Sequence, residues 1–301
     1  MKKIICIGEC SLNIILGDNG QPLSSMPGGR VVNAASMLAQ KGYKVLMASE
    51  AAADPIGDII AAYLLDSGVD ITSLDRFTEG RTPINLFTST GSTASITRYE
   101  SYPKECFDII WPRVEEGDVV LFGGYYTLDS RMRERLIRFL SHCDERKAVL
   151  IYLPGFLPQQ EPRITRVMPA LLENLEFADI VVVRDNDLKM LFGTDNPETA
   201  YHAHVDFYCR SLVCVDAVNE NIIYYSGREV SAIKIPVDTS RTMLWNSGAI
   251  AGVVSAVIEN SIGPDSFDMP SVSLREAILN SALCFASDAV CSLSDKWQYI
   301  N

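Results

Sequence analysis

The sequence contains no GxxxxGK[ST] run and no GxGxxG after an apolar strand, which removes the P-loop and the Rossmann dinucleotide fingerprint. No apolar run reaches the ~18 residues of a membrane-spanning helix, so no membrane is expected as a partner. Positive charge is scarce: 26 Lys and Arg stand against 38 Asp and Glu, a net charge of −12. The densest basic run, Arg131, Arg133, Arg135 and Arg138, is broken by Glu134 and reads as the wet face of a helix. A nucleic-acid partner therefore has no electrostatic footprint. Three histidines leave few ways to build a Ser-His-Asp triad, and none lies near a nucleophile elbow. His202 and His204, with Asp206 and Cys209 nearby, have metal-ligand chemistry, but they lie in an expected helix over 198–208. Spacing of i and i+2 points them to different faces, which disfavours a shared metal. The eight cysteines form no CxxC pair. Cys6, Cys214 and Cys284 sit in apolar runs, where a reduced cysteine acts as a small hydrophobe, and a reducing cytoplasm is the expected compartment.

What is present is a chain of 301 residues, 48% hydrophobic and 21% charged. That is long enough to bury about three quarters of its unfolded surface, and a single domain over 1–301 is expected. The opening MKKIICIGEC places two lysines before an apolar stretch. The stretch is short, meets Glu9 and lacks a cleavage pattern, so it reads as a buried first strand. Similar apolar runs recur at Val45–Ala48, Val119–Phe122, Val149–Tyr152, Ile180–Val183 and Leu212–Val215. Helical patterns separate them at Val31–Gln40, Ile56–Leu65, Ser130–Ser141, Ile164–Leu175 and Asp187–Phe192. Continuous apolar strands alternating with helices predict an α/β fold, a doubly wound and mainly parallel sheet with helices on both faces. The last third predicts an antiparallel pair, Ile222–Tyr225 and Val230–Ile235, then helices at Trp245–Glu259 and Val272–Val290. Thr82–Tyr99 is rich in β-branched residues around Ser89–Ser92 and predicts a hairpin. Such an insertion suits a small β-rich lid over the crevice at the strand C-termini; segments 9–27 and 70–104 are its expected parts.

Pro27-Gly28-Gly29-Arg30-Val31-Val32-Asn33 opens the first helix. Its glycines let backbone approach a ligand, the helix end offers unpaired N–H groups, and Asn33 offers a donor and an acceptor suited to vicinal hydroxyls. The order of landmarks gives this pattern weight: Ile5-Cys6-Ile7-Gly8-Glu9, the glycine pair, Ala53-Asp54-Pro55-Ile56-Gly57, Leu64–Asp70, then Arg81-Thr82-Pro83. Together they closely resemble the ribokinase (pfkB) family of carbohydrate kinases. Ala178-Asp179-Ile180 and Pro236-Val237-Asp238-Thr239 extend the resemblance. It implies a sugar or polyol substrate between sheet and lid, with ATP and Mg²⁺ as cofactors and a homodimer through the lid as one assembly. It implies substrate contacts at Asn13, Gly28, Gly29 and Asn33. On the nucleotide and phosphate side it implies Asp238, Thr239, Arg241 and Asp187, and at a metal Asp185 and Asp187.

The second signature of that family runs on into Gly-Ala-Gly-Asp, whose amides form an anion hole and whose Asp is the catalytic base. Phosphoryl transfer needs both a carboxylate at the acceptor hydroxyl and preorganised N–H groups. This chain has Asp238-Thr239-Ser240-Arg241-Thr242-Met243-Leu244-Trp245-Asn246-Ser247-Gly248. The base position falls at Leu244 or, aligned from the helix, at Ser247. Leu153-Pro154-Gly155 replaces the family's Asp-x-Asn, Arg184-Asp185-Asn186-Asp187 its Asn-x-x-Glu, and Asp216-Ala217-Val218 its Thr-x-Gly. The sugar-side Asp after the first strand is Asn13. Beside an ATP:sugar phosphotransferase stand two alternatives: a sugar- or metabolite-binding protein without transfer activity, and an oligomeric interaction partner.

Overall fold

The computed structural model describes residues 2–90, 93–103, 109–216, 219–236 and 243–293. Each apolar run of the sequence is a strand of one sheet: β1 (Ile4–Ile7), β4 (Val45–Ala52), β8 (Val119–Gly123), β9 (Val149–Leu153), β10 (Ile180–Arg184) and β11 (Ser211–Asp216). With β5 (Asp70–Phe77), β12 (Asn221–Ser226) and β13 (Glu229–Lys234) they form nine strands in the order β13-β12-β11-β10-β9-β8-β1-β4-β5. Seven of these strands run parallel, and the β11-β12-β13 edge is antiparallel.

The strands are apolar at every position because both sheet faces are covered. Ile4, Cys6, Val119, Leu121, Val149 and Ile151 face one core. Helices α1 (Arg30–Gln40), α2 (Pro55–Asp66), α7 (Met243–Glu259) and α8 (Val272–Leu293) cover that face. The alternate residues Ile5, Ile7, Val120, Phe122, Leu150 and Tyr152 face the other. There the covering helices are α3 (Arg133–Glu145), α4 (Ile164–Phe177) and α5 (Asp185–Phe192). Cys6 and Cys214 are buried as expected, whereas Cys284 lies on the outer side of α8 and is exposed. The segment expected as one helix over 198–208 is α6 (Pro197–Ala200) followed by a π-turn over Tyr201–Val205. There His204 stacks on Phe192, away from His202.

A second sheet rides on the first: β2 (Ser11–Leu16), β3 (Pro22–Gly28), β6 (Arg81–Thr90) and β7 (Thr93–Ser101), in the order β3-β2-β6-β7. β6 and β7 are the expected hairpin, with Thr90 opposite Thr93. One boundary differs from expectation. Residues 70–77 form β5, which pairs with β4 in the large sheet, so the second segment of the small sheet begins at Arg81 and not at residue 70. The alternation of β5 is consistent with either sheet, and only the crossover through α2 places it beside β4. Among the described residues no helix is long and apolar enough to cross a membrane.

Candidate ligand cleft

The chain runs from β1 to β4 and β5 on one side, then crosses to β8, β9 and β10 on the other. Such a reversal opens a crevice beyond the strand C-termini. Here it is a cleft of about 380 Å³, floored by residues that follow β1, β8, β9 and β10 and roofed by the small sheet. A cavity of similar size at the opposite end of the large sheet gathers Asp144, Asp179, Asp268 and Arg210. It lies away from the strand C-termini, and the Asp179 carboxylate there accepts from Leu150 N–H, which fixes it as part of the fold.

The roof is a cross-strand row. Asn13 on β2 stands opposite Asn85 on β6, which stands opposite Arg98 on β7. Asn85 Nδ2 donates to Asn13 Oδ1 at 2.9 Å and to Ser11 Oγ at 3.0 Å, while Arg98 donates to Asn85 Oδ1 at 3.0 Å. Arg98 also faces Glu9 at 3.6 Å and donates to Glu100, and Gln160 donates to Glu9. Asn13, Asn85 and Arg98 are thus each tied to a neighbour, as burial demands. One row further out Phe87 and Ile96, opposite each other, give the roof an apolar tip. A polar row beside an apolar one suits a molecule with hydroxyl groups on one side and carbon on the other.

The sequence-derived substrate residues divide. Asn13 and Gly29 line the cleft, while Gly28 and Asn33 lie behind its wall. Gly28 is close to Asn13: a Cβ there would stand 2.4 Å from Asn13 Oδ1. Gly29 has φ 116°, and its Cβ would meet the Glu9 carbonyl at 2.4 Å. Asn33 is buried one turn into α1, and its Oδ1 has no hydrogen-bond partner among the described residues.

The floor holds an arrangement that motif reading missed. Asp187, 3% exposed, accepts from Arg184 Nη2 at 2.7 Å and Nε at 3.0 Å, and from Arg30 Nη1. Burial pushes its carboxyl up, but the two guanidiniums outweigh this and hold it at about 2. Arg30 reaches Asp187 across the chain because residue 155 is glycine: a Cβ there would lie 2.3 Å from Arg30 Nη2 and 2.8 Å from Asp187 Cγ. Arg30, Gly155, Arg184 and Asp187 are therefore one unit, although in sequence Gly155 and Arg184 read as separate departures from family motifs. The signal was the pairing of a new arginine with a lost side chain, at positions far apart in sequence.

This unit decides how a divalent metal would fit. Both Asp187 oxygens are engaged by guanidiniums, and two cations beside it repel a third. Asp185 is buried and spends Oδ1 on Asn186 N–H. Among the described residues no group of three or more His, Cys, Asp or Glu could hold a metal. Mg²⁺ does not fit Asp185 and Asp187 as they are placed. Asp238, Thr239 and Arg241 lie outside the described residues. Leu244 and Ser247, the two positions at which the resemblance would place the catalytic base, are both buried in the first turns of α7, and Ser247 Oγ has no hydrogen-bond partner among the described residues. Among the described residues the first turn of α7 carries no acidic side chain.

Residues 1–239 match the pfkB family of carbohydrate kinases. The chain belongs to that family. A Pyrococcus horikoshii protein provisionally named as a sugar kinase is 22% identical over 196 residues, and the chain spans 63% of the length of that curated relative. The solved structures it resembles include aminoimidazole riboside kinase from Salmonella enterica, at 16% identity, TM-score 0.76 and 96% coverage of each chain. Fructokinase from Vibrio cholerae O395, in its fructose-, ADP- and calcium-bound form, gives 15% identity and TM-score 0.80, covering 96% of this chain and 93% of that one. At these identities the likeness is one of fold: a ribokinase-like sheet with a second small sheet.

Proposed function

We propose that this pfkB-family chain binds a small polyhydroxylated molecule, a sugar or polyol, between the two sheets, and that it transfers phosphate to it slowly or not at all. The carrying observation is the capture of Asp187 by Arg30 and Arg184, which removes from metal duty the acidic residue matching the family's phosphate-side Glu. The absence of a carboxylate at Leu244 or Ser247 acts in the same direction. Loss of a general base costs a factor of about 10²–10⁴ in rate. The roof supports retained binding: Ser11, Asn13 and Asn85 still present hydrogen-bonding groups over Gly29. The test pairs two readouts on the purified protein. Calorimetry against a panel of sugars and polyols is expected to find a saturable ligand, and coupled detection of ADP with that ligand and Mg-ATP is expected to stay near background. Turnover at ordinary kinase rates would overturn the lost-transfer half, and no binding across the panel would overturn the whole.

A second reading concerns assembly. The face of the small sheet turned away from the cleft carries Leu12, Ile14, Ile84 and Leu86 in paired register, with Tyr99 59% exposed beside Ile84. An apolar outer face of this kind supports pairing of two copies through it.

A further inference from the structure

Arg30 and Arg184 bring more N–H donors to the cleft floor than Asp187 accepts. Arg30 Nε and Nη2, and Arg184 Nη1, have no hydrogen-bond partner among the described residues. Both side chains line the cleft, 19% and 35% exposed respectively. Gly29, Arg30 and Val31 bring the start of α1 to the same wall; Gly29 supplies no side-chain cap, and the first turn holds no acidic residue. Unpaired helix N–H groups carry partial positive charge. The carboxylate that lines this cleft, Glu9, is already engaged by Arg98 and Gln160. The chain as a whole carries −12, so its general field repels anions and any capture must be local.

We infer that the occupant of the cleft carries an anionic group, a carboxylate or a phosphate, received by the free guanidinium edges of Arg30 and Arg184 beside the start of α1. This rests on the proposal that the cleft binds a small polyhydroxylated molecule, and it narrows that molecule to a sugar acid or a sugar phosphate. Asp187 has a defined part: it holds the two guanidiniums side by side with their remaining N–H groups toward the cleft. Planar donors arranged in this way suit the paired oxygens of carboxylate and phosphate.

The test is calorimetric titration of the full chain with matched probes: aldoses, the corresponding aldonates and the corresponding aldose phosphates, with ADP as a separate arm. Aldonates or aldose phosphates are expected to bind about ten- to a hundredfold more tightly than the parent aldose, the scale of charged hydrogen bonds. Arg184→Gln, which leaves Asp187 paired with Arg30, should erase most of that preference. Arg30→Lys should keep part of it. The carboxylate and phosphate arms separate the two sources of negative charge. An aldose bound as tightly as both its acid and its phosphate, or a preference that survives Arg184→Gln, overturns the inference and leaves the cleft proposal standing. Weakening of ADP alone by Arg184→Gln also overturns it, by assigning the arginines to a nucleotide. Failure of every probe, neutral and charged, overturns both.

Discussion

At the residue scale the buried acids carry opposite charge states. Glu50, near the end of β4, is 2% exposed and its Oε2 has no hydrogen-bond partner among the described residues. Burial pushes its carboxyl up to about 9, against a smaller opposing pull from Arg131. Between the unfolded carboxyl value and 9 the folded chain keeps a proton that the unfolded chain releases. Its contribution is full below the unfolded value and is lost as pH rises toward 9, by up to about 1.4 kcal/mol per pH unit. Glu50→Gln should therefore raise Tm above wild type at pH 8, with the gap closing near pH 4; equal melting curves at both pH values would refute this. Asp187 behaves in reverse, because its folded value near 2 is depressed. Its contribution is present above the ordinary carboxyl range and lost as pH falls toward 2. Asp187→Asn strands two partly buried guanidiniums and should cost about 3–5 kcal/mol in urea unfolding at pH 7, the scale of a broken buried pair. A loss under about 1 kcal/mol would place the pair with ordinary surface ion pairs.

At the scale of elements, one residue ties the two sheets together. Asp54 caps α2 by accepting from Gly57 N–H at 2.8 Å. The same carboxylate accepts from the Thr82 hydroxyl at 2.7 Å and the Thr82 N–H at 2.9 Å, on β6 of the small sheet. Thr82 Oγ1 in turn accepts from Ala52 N–H at the end of β4. Asp54→Ala should cost about 1–2 kcal/mol as a lost cap. It should also speed amide exchange selectively in β6 and β7, because their anchor to the large sheet is gone. Uniform exchange across both sheets would show that the cap acts on α2 alone. Pro55 at the start of α2 made the helix legible in sequence, but the reach of Asp54 to Thr82 was not, because it joins residues 28 positions apart.

At the scale of the molecule, the apolar outer face of the small sheet sets the expected assembly. Light scattering after size exclusion should give a dimer, and Leu86→Lys should give a monomer that retains its cleft binding. A monodisperse wild-type monomer at micromolar concentration would remove this expectation. Much of the molecule was legible from the chain. Fully apolar runs are stable in a sheet covered on both faces, so the parallel core was legible at Ile4–Ile7, Val119–Gly123 and Val149–Leu153. β2 carries Ser11 and Asn13 on its cleft side, and its pattern is weaker for that reason.

What the sequence determined by itself was local: strand and helix periods, the glycine turn before α1, and the residue types, none of them a carboxylate, at Leu244 and Ser247. These follow from residue type and short-range spacing, which act within a few positions of the chain. Tertiary structure alone decided that β5 belongs to the large sheet, and that Asn13, Asn85 and Arg98 form one row. It also decided that Arg30, Gly155, Arg184 and Asp187 act together. An ion pair spanning 157 positions leaves no periodic trace. It exists because the crossovers of a parallel sheet bring the C-terminal ends of separate strands to one edge, where long side chains meet.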